Sequence, residues 1–313
     1  MNDHNGPAAP LSLIKDHPVA AFLLIAITLS WTGQILSLLL LGNILPGILA
    51  ELLILLGTAV LVTGAAYGRP ALRELFRRAF RWRVGLGWWA AALLALPVLT
   101  VLIALATGTF HQPSAGWWPL LGNYLLNTLI IGALLGNIWE ELAWTGVVQH
   151  RLMDRQGPAI AALLTAIPFA LIHLPFAFAD KGFAGTPWTD VALSWAVLFL
   201  FAPFFRALMG LAYLSTGYSL LIVGLLHASF NASASTKLDV FDGDWQQIAA
   251  VVALLGVIAA VHAGASRLSR AWRASRASGG QPPEPERTLK HQPQPERILK
   301  HRPAGMRTNP REE

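Results

Sequence analysis

Cysteine and charged residues are what this 313-residue chain has little of, and each scarcity excludes something. There is no cysteine, which excludes disulfides, thiolate nucleophiles and cysteine-ligated metals. Only 13% of the residues are charged, about half of the roughly 25% found in a soluble domain. Residues 125–137 contain no charge at all, and most other segments are apolar on every face. The composition therefore indicates a membrane protein.

What the chain has in abundance is apolar sequence. Hydrophobic residues make up 54% of it, and the mean hydropathy is +0.51. A helix needs about 20 apolar residues to cross a bilayer, and eight runs qualify: 18–41, 45–67, 86–107, 124–153, 158–178, 190–214, 218–235 and 246–265. The first run is interpreted as an anchor because no small-residue cleavage site follows a short apolar stretch. The predicted fold class is all-α, a polytopic transmembrane helical bundle of about eight spans.

The basic residues predict an orientation in the membrane. Arginines cluster in the connections after the second, fourth and eighth spans: Arg69, Arg73, Arg77, Arg78, Arg81, Arg83, Arg151, Arg155, Arg267, Arg270, Arg273 and Arg276. The first of these connections can form an amphipathic interfacial helix. The opposite loops hold only Lys181 and Lys237. By the positive-inside rule both termini are predicted to be cytoplasmic, in a multi-pass protein of the cell membrane. Basic charge in these loops and the tail does not indicate a nucleic-acid partner.

The apolar runs and the composition divide the chain into three predicted segments. Residues 1–17 are predicted to be a cytoplasmic segment, residues 18–265 the transmembrane domain and residues 266–313 a basic, proline-rich cytoplasmic tail. The tail repeats PERTLKH (285–291) as PERILKH (295–301), and its composition predicts disorder. The repeat is interpreted as a duplicated linker, with a docking motif as the alternative.

Ionisable side chains within the predicted spans are few, and each costs at least roughly 2.5–3.5 kcal/mol at mid-depth unless it is paired or functional. They are Glu51, Glu140, Glu141, His173, Arg206, His227 and His262, with Asn137 and Asn231 as the most notable amides. A structural role is favoured for Glu51 and His262. Arg206 is interpreted either as structural or as a clamp for a substrate carboxylate.

Counting along the spans predicts that three of these groups meet. Glu140 lies about 20 Å from the inner end of its span, and His173 about 22 Å from the inner end of the next, at 1.5 Å per residue. The tight turn between these spans makes them antiparallel neighbours, so the two side chains are at similar depth. His227 is shallower, at about 14 Å, a gap that helix tilt can close.

Helical spacing adds two expectations about direction. His227 and Asn231 are four residues apart and share one helix face, as do Phe169 and His173. Glu140 and Glu141 are about 100° apart around the helix and are predicted not to point at one spot. One glutamate is expected to face the site and the other a partner.

A carboxylate with two imidazoles suits two kinds of chemistry. In the first, Glu140 is a general base on a water, while His227 and Asn231 donate hydrogen bonds to an oxyanion. In the second, Glu140, His173 and His227 bind a metal such as Zn²⁺. The absence of an HExxH motif removes the usual two-histidine helical zinc motif. The residues themselves leave both alternatives open.

Three short motifs resemble a known family. EELAWTG (140–146), FALIH (169–173) and HASFN (227–231), in this order and spacing, resemble the CPBP family of intramembrane proteases, which includes the type II CAAX prenyl endopeptidases. The resemblance covers residues 120–235. It implies a helical membrane fold with a cavity between spans four to seven. It also implies cleavage of a peptide bond in a membrane-associated peptide or protein, prenylated in the CAAX case.

The resemblance implies a role for each site residue. Glu140 activates water, Glu141 supports it from another face, His173 orients the water, and His227 with Asn231 stabilises the oxyanion. Family mechanism is divided between a metal site and a glutamate-activated water. The glutamate version, which requires no cofactor, is favoured because no four-ligand set is evident.

One departure from the family pattern concerns Thr145, which occupies the position of the motif's arginine. Glu141 then lacks its expected partner, and Arg206 or Arg151 is expected to substitute, or Thr145 to donate a hydrogen bond. The departure keeps open a non-catalytic membrane scaffold or immunity protein. A proton-coupled transporter is a weaker alternative, because the chain has no inverted repeat.

Overall fold

A computed structural model describes residues 9–278 of the chain. The helical bundle extends to His262, and the remainder of the last helix belongs to a second unit. Residues 266–278, predicted to begin the tail, are helical. Residues 1–8 and 279–313, including both copies of the tail repeat, lie outside the described residues.

The described residues form helices, and the only strand-like pairing within them is an isolated bridge between Phe110 and Phe241. The helices are α1 (Ala9–Asp16), α2 (Pro18–Leu41), α3 (Leu45–Ala79), α4 (Leu86–Ala106), α5 (Trp117–Leu125), α6 (Ile138–Ala143), α7 (His150–Gln156), α8 (Pro158–Ile172), α9 (Gly182–Gly185), α10 (Trp188–Ser215), α11 (Leu220–Ala232), α12 (Ser235–Leu238) and α13 (Trp245–Ser278). Two π-helical segments, Leu126–Asn137 and Trp144–Gln149, join α5, α6 and α7 into one continuous central helix, Trp117–Gln156. A 3₁₀ turn, Leu174–Phe178, follows α8.

Every apolar run predicted to span the membrane is helical. Six helical segments are long and apolar enough to cross a bilayer: Pro18–Leu41, Leu45–Ala79, Leu86–Ala106, Trp117–Gln156, Pro158–Phe178 and Trp188–Ser215. The predicted seventh run forms α11, whose 13 residues reach only about 20 Å, and the eighth forms the apolar stretch Trp245–Val261. The all-α membrane class is confirmed, whereas the count of eight spans and the cytoplasmic termini remain predictions.

Helix α3 changes direction where its sequence turns from apolar to arginine-rich. Gly68 has φ 77° and ψ −176°, a backbone conformation that suits glycine, and Pro70 follows two residues later. The helix then continues to Ala79 with its arginines. The second predicted span ended at residue 67, so its boundary coincides with this kink.

The connection after α3 meets the turn between α10 and α11 at one end of the bundle. The Arg78 guanidinium donates a hydrogen bond to the Tyr213 hydroxyl at 2.8 Å. The hydroxyl of Ser219, the N-cap residue of α11, donates to the Arg81 carbonyl at 2.6 Å. We call this the arginine-rich end.

The loop after α4 and the loop before α13 are joined by hydrogen bonds at a place apart from the arginine-rich end. The Ser114 hydroxyl and backbone N–H donate to the exposed carboxylate of Asp239, and the hydroxyl donation lowers the pKa of this carboxyl. The His111 N–H donates to the Val240 carbonyl at 2.9 Å. The loop after α4 is therefore tied to the loop before α13.

Small residues let α11 lie unusually close to the central helix. A Cβ added at Gly224 would lie 2.7 Å from the Ile138 Cα, and one at Gly132 would lie 2.7 Å from the Ala228 Cβ. Glycine at such crossings allows the backbones of membrane helices to approach. This approach brings His227 within reach of the glutamates that follow Ile138.

Candidate active site

The two adjacent glutamates lie in a short α-helical stretch between π-helical segments. Glu140 and Glu141 belong to α6, with Leu126–Asn137 before it and Trp144–Gln149 after it. A π-helical turn is wider than an α-helical one, is rare, and occurs often at functional sites. The irregular helix therefore changes which side chains line up above and below the glutamates.

Glu140 is buried and only partly satisfied. Its Oε2 accepts a hydrogen bond from Asn137 Nδ2 at 3.0 Å. Its Oε1 has no hydrogen-bond partner among the described residues and lies 3.8 Å from His173 Nε2. A buried carboxylate oxygen without a donor is costly and suggests a role in which another group binds there.

His173 presents its unprotonated nitrogen to Glu140. Its Nδ1 lies 2.6 Å from the Phe169 carbonyl oxygen, which can only accept, so Nδ1 carries the hydrogen. In the neutral ring Nε2 is then a bare acceptor facing Glu140. The His173 side chain is 20% exposed against 9% for Glu140, so the site is more accessible from the side of the histidine.

Asn231 reaches Glu140 through a second amide. Its Nδ2 donates to Asn137 Oδ1 at 3.3 Å, and Asn137 in turn donates to Glu140. The amide group of Asn231 has two hydrogens, so one remains for another acceptor. The structure thus brings Asn231 to the site, and it gives Asn137 a direct contact with Glu140 that the sequence did not predict.

His227 contacts both glutamates, contrary to the prediction that they cannot point at one spot. Its Nδ1 lies 2.9 Å from Glu141 Oε1 and 3.9 Å from Glu140 Oε2. That prediction was wrong because the 100° separation applies to the Cβ directions, whereas the long glutamate side chains converge beyond them. The accompanying expectation that one glutamate faces a partner is met by Glu141.

The partner of Glu141 is Arg206, on α10. Arg206 NH1 donates to Glu141 Oε1 at 2.8 Å and to Oε2 at 3.1 Å, and both side chains are fully buried. Arg206 NH2 donates to Thr145 Oγ1 at 2.6 Å, and the Thr145 hydroxyl donates to Glu141 Oε2. Two of the three expected compensations for the missing motif arginine are therefore present together.

Gln149 completes this network and was missed by the sequence analysis. Its Oε1 accepts from Arg206 Nε at 3.0 Å and from NH2 at 2.6 Å, while its Nε2 donates to the Arg206 carbonyl at 2.9 Å. The signal was its spacing, four residues beyond Thr145 and eight beyond Glu141 on one helix face. Arg151, the third candidate partner, instead stacks over the Tyr67 ring at 4.1 Å.

The Phe169 ring forms an apolar wall of the site. Its centroid lies 4.6 Å from that of His173 and 6.3 Å from that of His227, and the Arg206 guanidinium carbon lies 5.2 Å from it. Apolar walls lower the local dielectric and strengthen the interactions among the charged groups. The FxxxH spacing thus places a wall and a site histidine on one face.

Glu51 is a second buried carboxylate, near enough to Glu140 for the two charges to interact but without a hydrogen bond to this network among the described residues. Its Oε2 accepts from Gln34 Nε2 at 2.6 Å, which agrees with a structural role. The side chain of His262 lies outside the described part of the structure.

The choice between a metal and a glutamate-activated water stays a prediction. Within residues 9–278, no group of three or more His, Asp or Glu side chains is positioned to hold a metal ion. Glu140, His173 and His227 come closest to such a group, and the Nδ1 contact of His227 with Glu141 leaves its Nε2 for another partner. We therefore derive no step through a metal.

Membrane-length helices around a buried polar centre define a multi-pass membrane protein. Residues 122–233 match the family model described as type II CAAX prenyl endopeptidase Rce1-like. These residues form an Rce1-like domain of the CPBP family, and the match indicates a CAAX protease-type hydrolase. All five predicted site residues, Glu140, Glu141, His173, His227 and Asn231, fall within it. No curated protein matches the chain.

Proposed function

We propose that this protein is an intramembrane endopeptidase in which Glu140 activates a water molecule. The observation that carries the proposal is the facing pair of acceptors, Glu140 Oε1 and His173 Nε2, 3.8 Å apart. Neither atom has a hydrogen-bond donor in the described structure. A water lying beside this pair can donate one hydrogen to each at ordinary hydrogen-bond lengths. Its oxygen lone pair is then directed away from both acceptors, toward a substrate carbonyl.

The proposed first step is general-base catalysis. As the water oxygen bonds to the scissile carbonyl carbon, Glu140 takes one of its protons and the carbonyl oxygen becomes negatively charged. His173 holds the water through the second hydrogen. Collapse of the tetrahedral intermediate breaks the C–N bond, and the proton on Glu140 passes to the leaving amine. General-base assistance of this kind contributes typically 10²–10⁴-fold in rate.

The oxyanion is stabilised in this proposal by His227 and Asn231. Arg206 is permanently charged and donates to both oxygens of Glu141, which keeps Glu141 a carboxylate that accepts from His227 Nδ1. A neutral imidazole has one N–H, so His227 can donate a second hydrogen bond from Nε2 to the oxyanion only as an imidazolium. Its positive charge is then balanced by Glu140, just as Arg206 balances Glu141. Loss of one such donor typically costs 10²–10³-fold in kcat.

The substrate we propose is a membrane-associated peptide or protein, with CAAX-type C-terminal processing of a prenylated chain as the leading candidate. Its support is the Rce1-like match and the placement of the site within apolar helices. The proposal includes a cell-membrane location and eight spans with cytoplasmic termini.

The experiment that tests this function is mass-spectrometric detection of cleavage by the full chain in nanodiscs. Matched peptides ending in a CAAX sequence are supplied with and without the prenyl group, each with and without a chelator. The proposal expects cleavage that survives the chelator and is faster for the prenylated peptide. Loss of cleavage with the chelator would contradict the glutamate mechanism and favour a metal-bound water. If folded protein cleaved none of the peptides, the proposed function would be contradicted.

A further inference from the structure

A cleft of about 350 Å³ lies at the arginine-rich end, apart from the site described above. One wall is the end of α3, from Thr63 to Arg78, and the other is the end of the central helix, from Gly146 to Arg155. None of the five candidate catalytic residues lines it. Arg151 is eleven residues beyond Glu140, about 16 Å along the helix axis.

Arginines outnumber acidic residues in the cleft by three to two. Its lining includes Arg78, Arg151 and Arg155 against the acidic Glu74 and Asp154. Glu74 is already neutralised, since Arg77 and Arg78 donate to its oxygens at 2.6–2.8 Å. The Asp154 side chain is 66% exposed, so solvent screens its charge.

Two of the arginines retain donors for a ligand. Arg155 has no hydrogen-bond or ion-pair partner within residues 9–278. Arg151 is fixed by stacking on Tyr67 and by one hydrogen bond from NH1 to the Val147 carbonyl at 3.3 Å. Within residues 9–278 its other guanidinium N–H groups contact no acidic side chain. Preoriented guanidinium groups bind phosphate oxygens in pairs.

The surroundings favour a lipid as the source of that phosphate. The cleft lies beside the Gly68 kink, where α3 passes from an apolar stretch into an arginine-rich one. Tyr67 is 42% exposed and joins an apolar ring to a polar hydroxyl, a side chain suited to the headgroup level. Basic pockets between membrane helices bind anionic lipid headgroups.

We propose that this cleft binds the phosphodiester headgroup of an anionic phospholipid, with Arg151 and Arg155 as its principal donors. The lipid then bridges the end of α3 and the end of the central helix. Binding at this cleft stabilises the folded chain by RT ln(1 + [L]/Kd), where [L] is the free lipid concentration and Kd is its dissociation constant.

The test is thermal unfolding of the full chain in detergent micelles titrated with phosphatidylglycerol, with phosphatidylcholine and with inorganic phosphate. We expect phosphatidylglycerol alone to raise the Tm. The Arg151→Gln/Arg155→Gln variant should bind it about 100-fold more weakly, from about tenfold for each lost hydrogen bond to a charged group. The matched control, Arg69→Gln/Arg83→Gln, removes two arginines of the same end that do not line the cleft.

Retained stabilisation in the control and loss in the cleft variant support the proposal. Equal loss in both variants would mean diffuse attraction, and an equal effect of inorganic phosphate would mean a free-anion site; either result overturns the assignment. Arg155→Gln alone, an exposed substitution, provides a second variant if the double variant does not fold. It should bind about tenfold more weakly, and unchanged binding would contradict the role of Arg155.

Discussion

Replacing Arg206 by methionine is predicted to destabilise the fold more than most single substitutions in the bundle. Methionine fills similar volume but leaves Glu141 fully buried without a cation. Only the Thr145 and His227 hydrogen bonds then remain to Glu141, and Gln149 Oε1 loses both of its donors. Removing one partner of a buried ion pair costs about 3–5 kcal/mol.

A second substitution separates the effect of charge from the effect of activity. Glu141→Gln in the Arg206→Met background removes the unpaired charge, and we expect it to restore part of the lost stability, with a coupling of about 0.5–3 kcal/mol. Activity should not return, because His227 Nδ1 then lacks the carboxylate oxygen that orients its ring.

The assay is the free energy of unfolding by SDS titration in mixed micelles, measured for wild type, both single variants and the double variant. The reasoning would be refuted if Arg206→Met unfolded within about 1 kcal/mol of wild type, well below the cost of a broken buried pair. It would also fail if the double variant were no more stable than Arg206→Met.

Two further predictions concern the positioning of Glu140. Asn137→Ala removes the hydrogen-bond donor to Glu140 Oε2. A hydrogen bond to a charged group is worth about 1.5–3 kcal/mol, so its loss should lower kcat about 10- to 150-fold with little change in KM. An unchanged kcat would contradict this positioning role of Asn137. Gly224→Ala would press its Cβ against Ile138 and should lower both the Tm and the cleavage rate, with overpacking costing about 1–3 kcal/mol. Gly57→Ala, with nothing within 4 Å of the added Cβ, is the matched control, and equal behaviour of the two variants would contradict the close-approach argument.

The helices were predictable from sequence because apolar length is a strong signal. The end of the second run at residue 67 matched a kink, since glycine and proline follow it. The depth count for Glu140 and His173 was also sufficient, because a tight turn leaves antiparallel helices little freedom to slide.

The hydrogen bonds were harder to predict, since they depend on side-chain reach and on irregular helix geometry. Counting 100° per residue separated the Cβ directions of Glu140 and Glu141 but ignored the reach of their side chains, and both approach His227. Gln149 was overlooked because the amides singled out lie close in sequence to Glu140 or His227, whereas its partner Arg206 is 57 residues away. The contact between Thr145 and Arg206 required a long-range pairing that no local spacing encodes.

The central claim is that Glu140, and not buried acidity in general, activates the water. The most direct measurement compares initial cleavage rates of Glu140→Gln and Glu51→Gln, two isosteric changes at buried glutamates, in nanodiscs with protein of verified folding. We predict at least a 10²-fold loss for Glu140→Gln, from the typical contribution of a general base, and less than tenfold for Glu51→Gln. Cleavage by Glu140→Gln at near the wild-type rate would contradict the account.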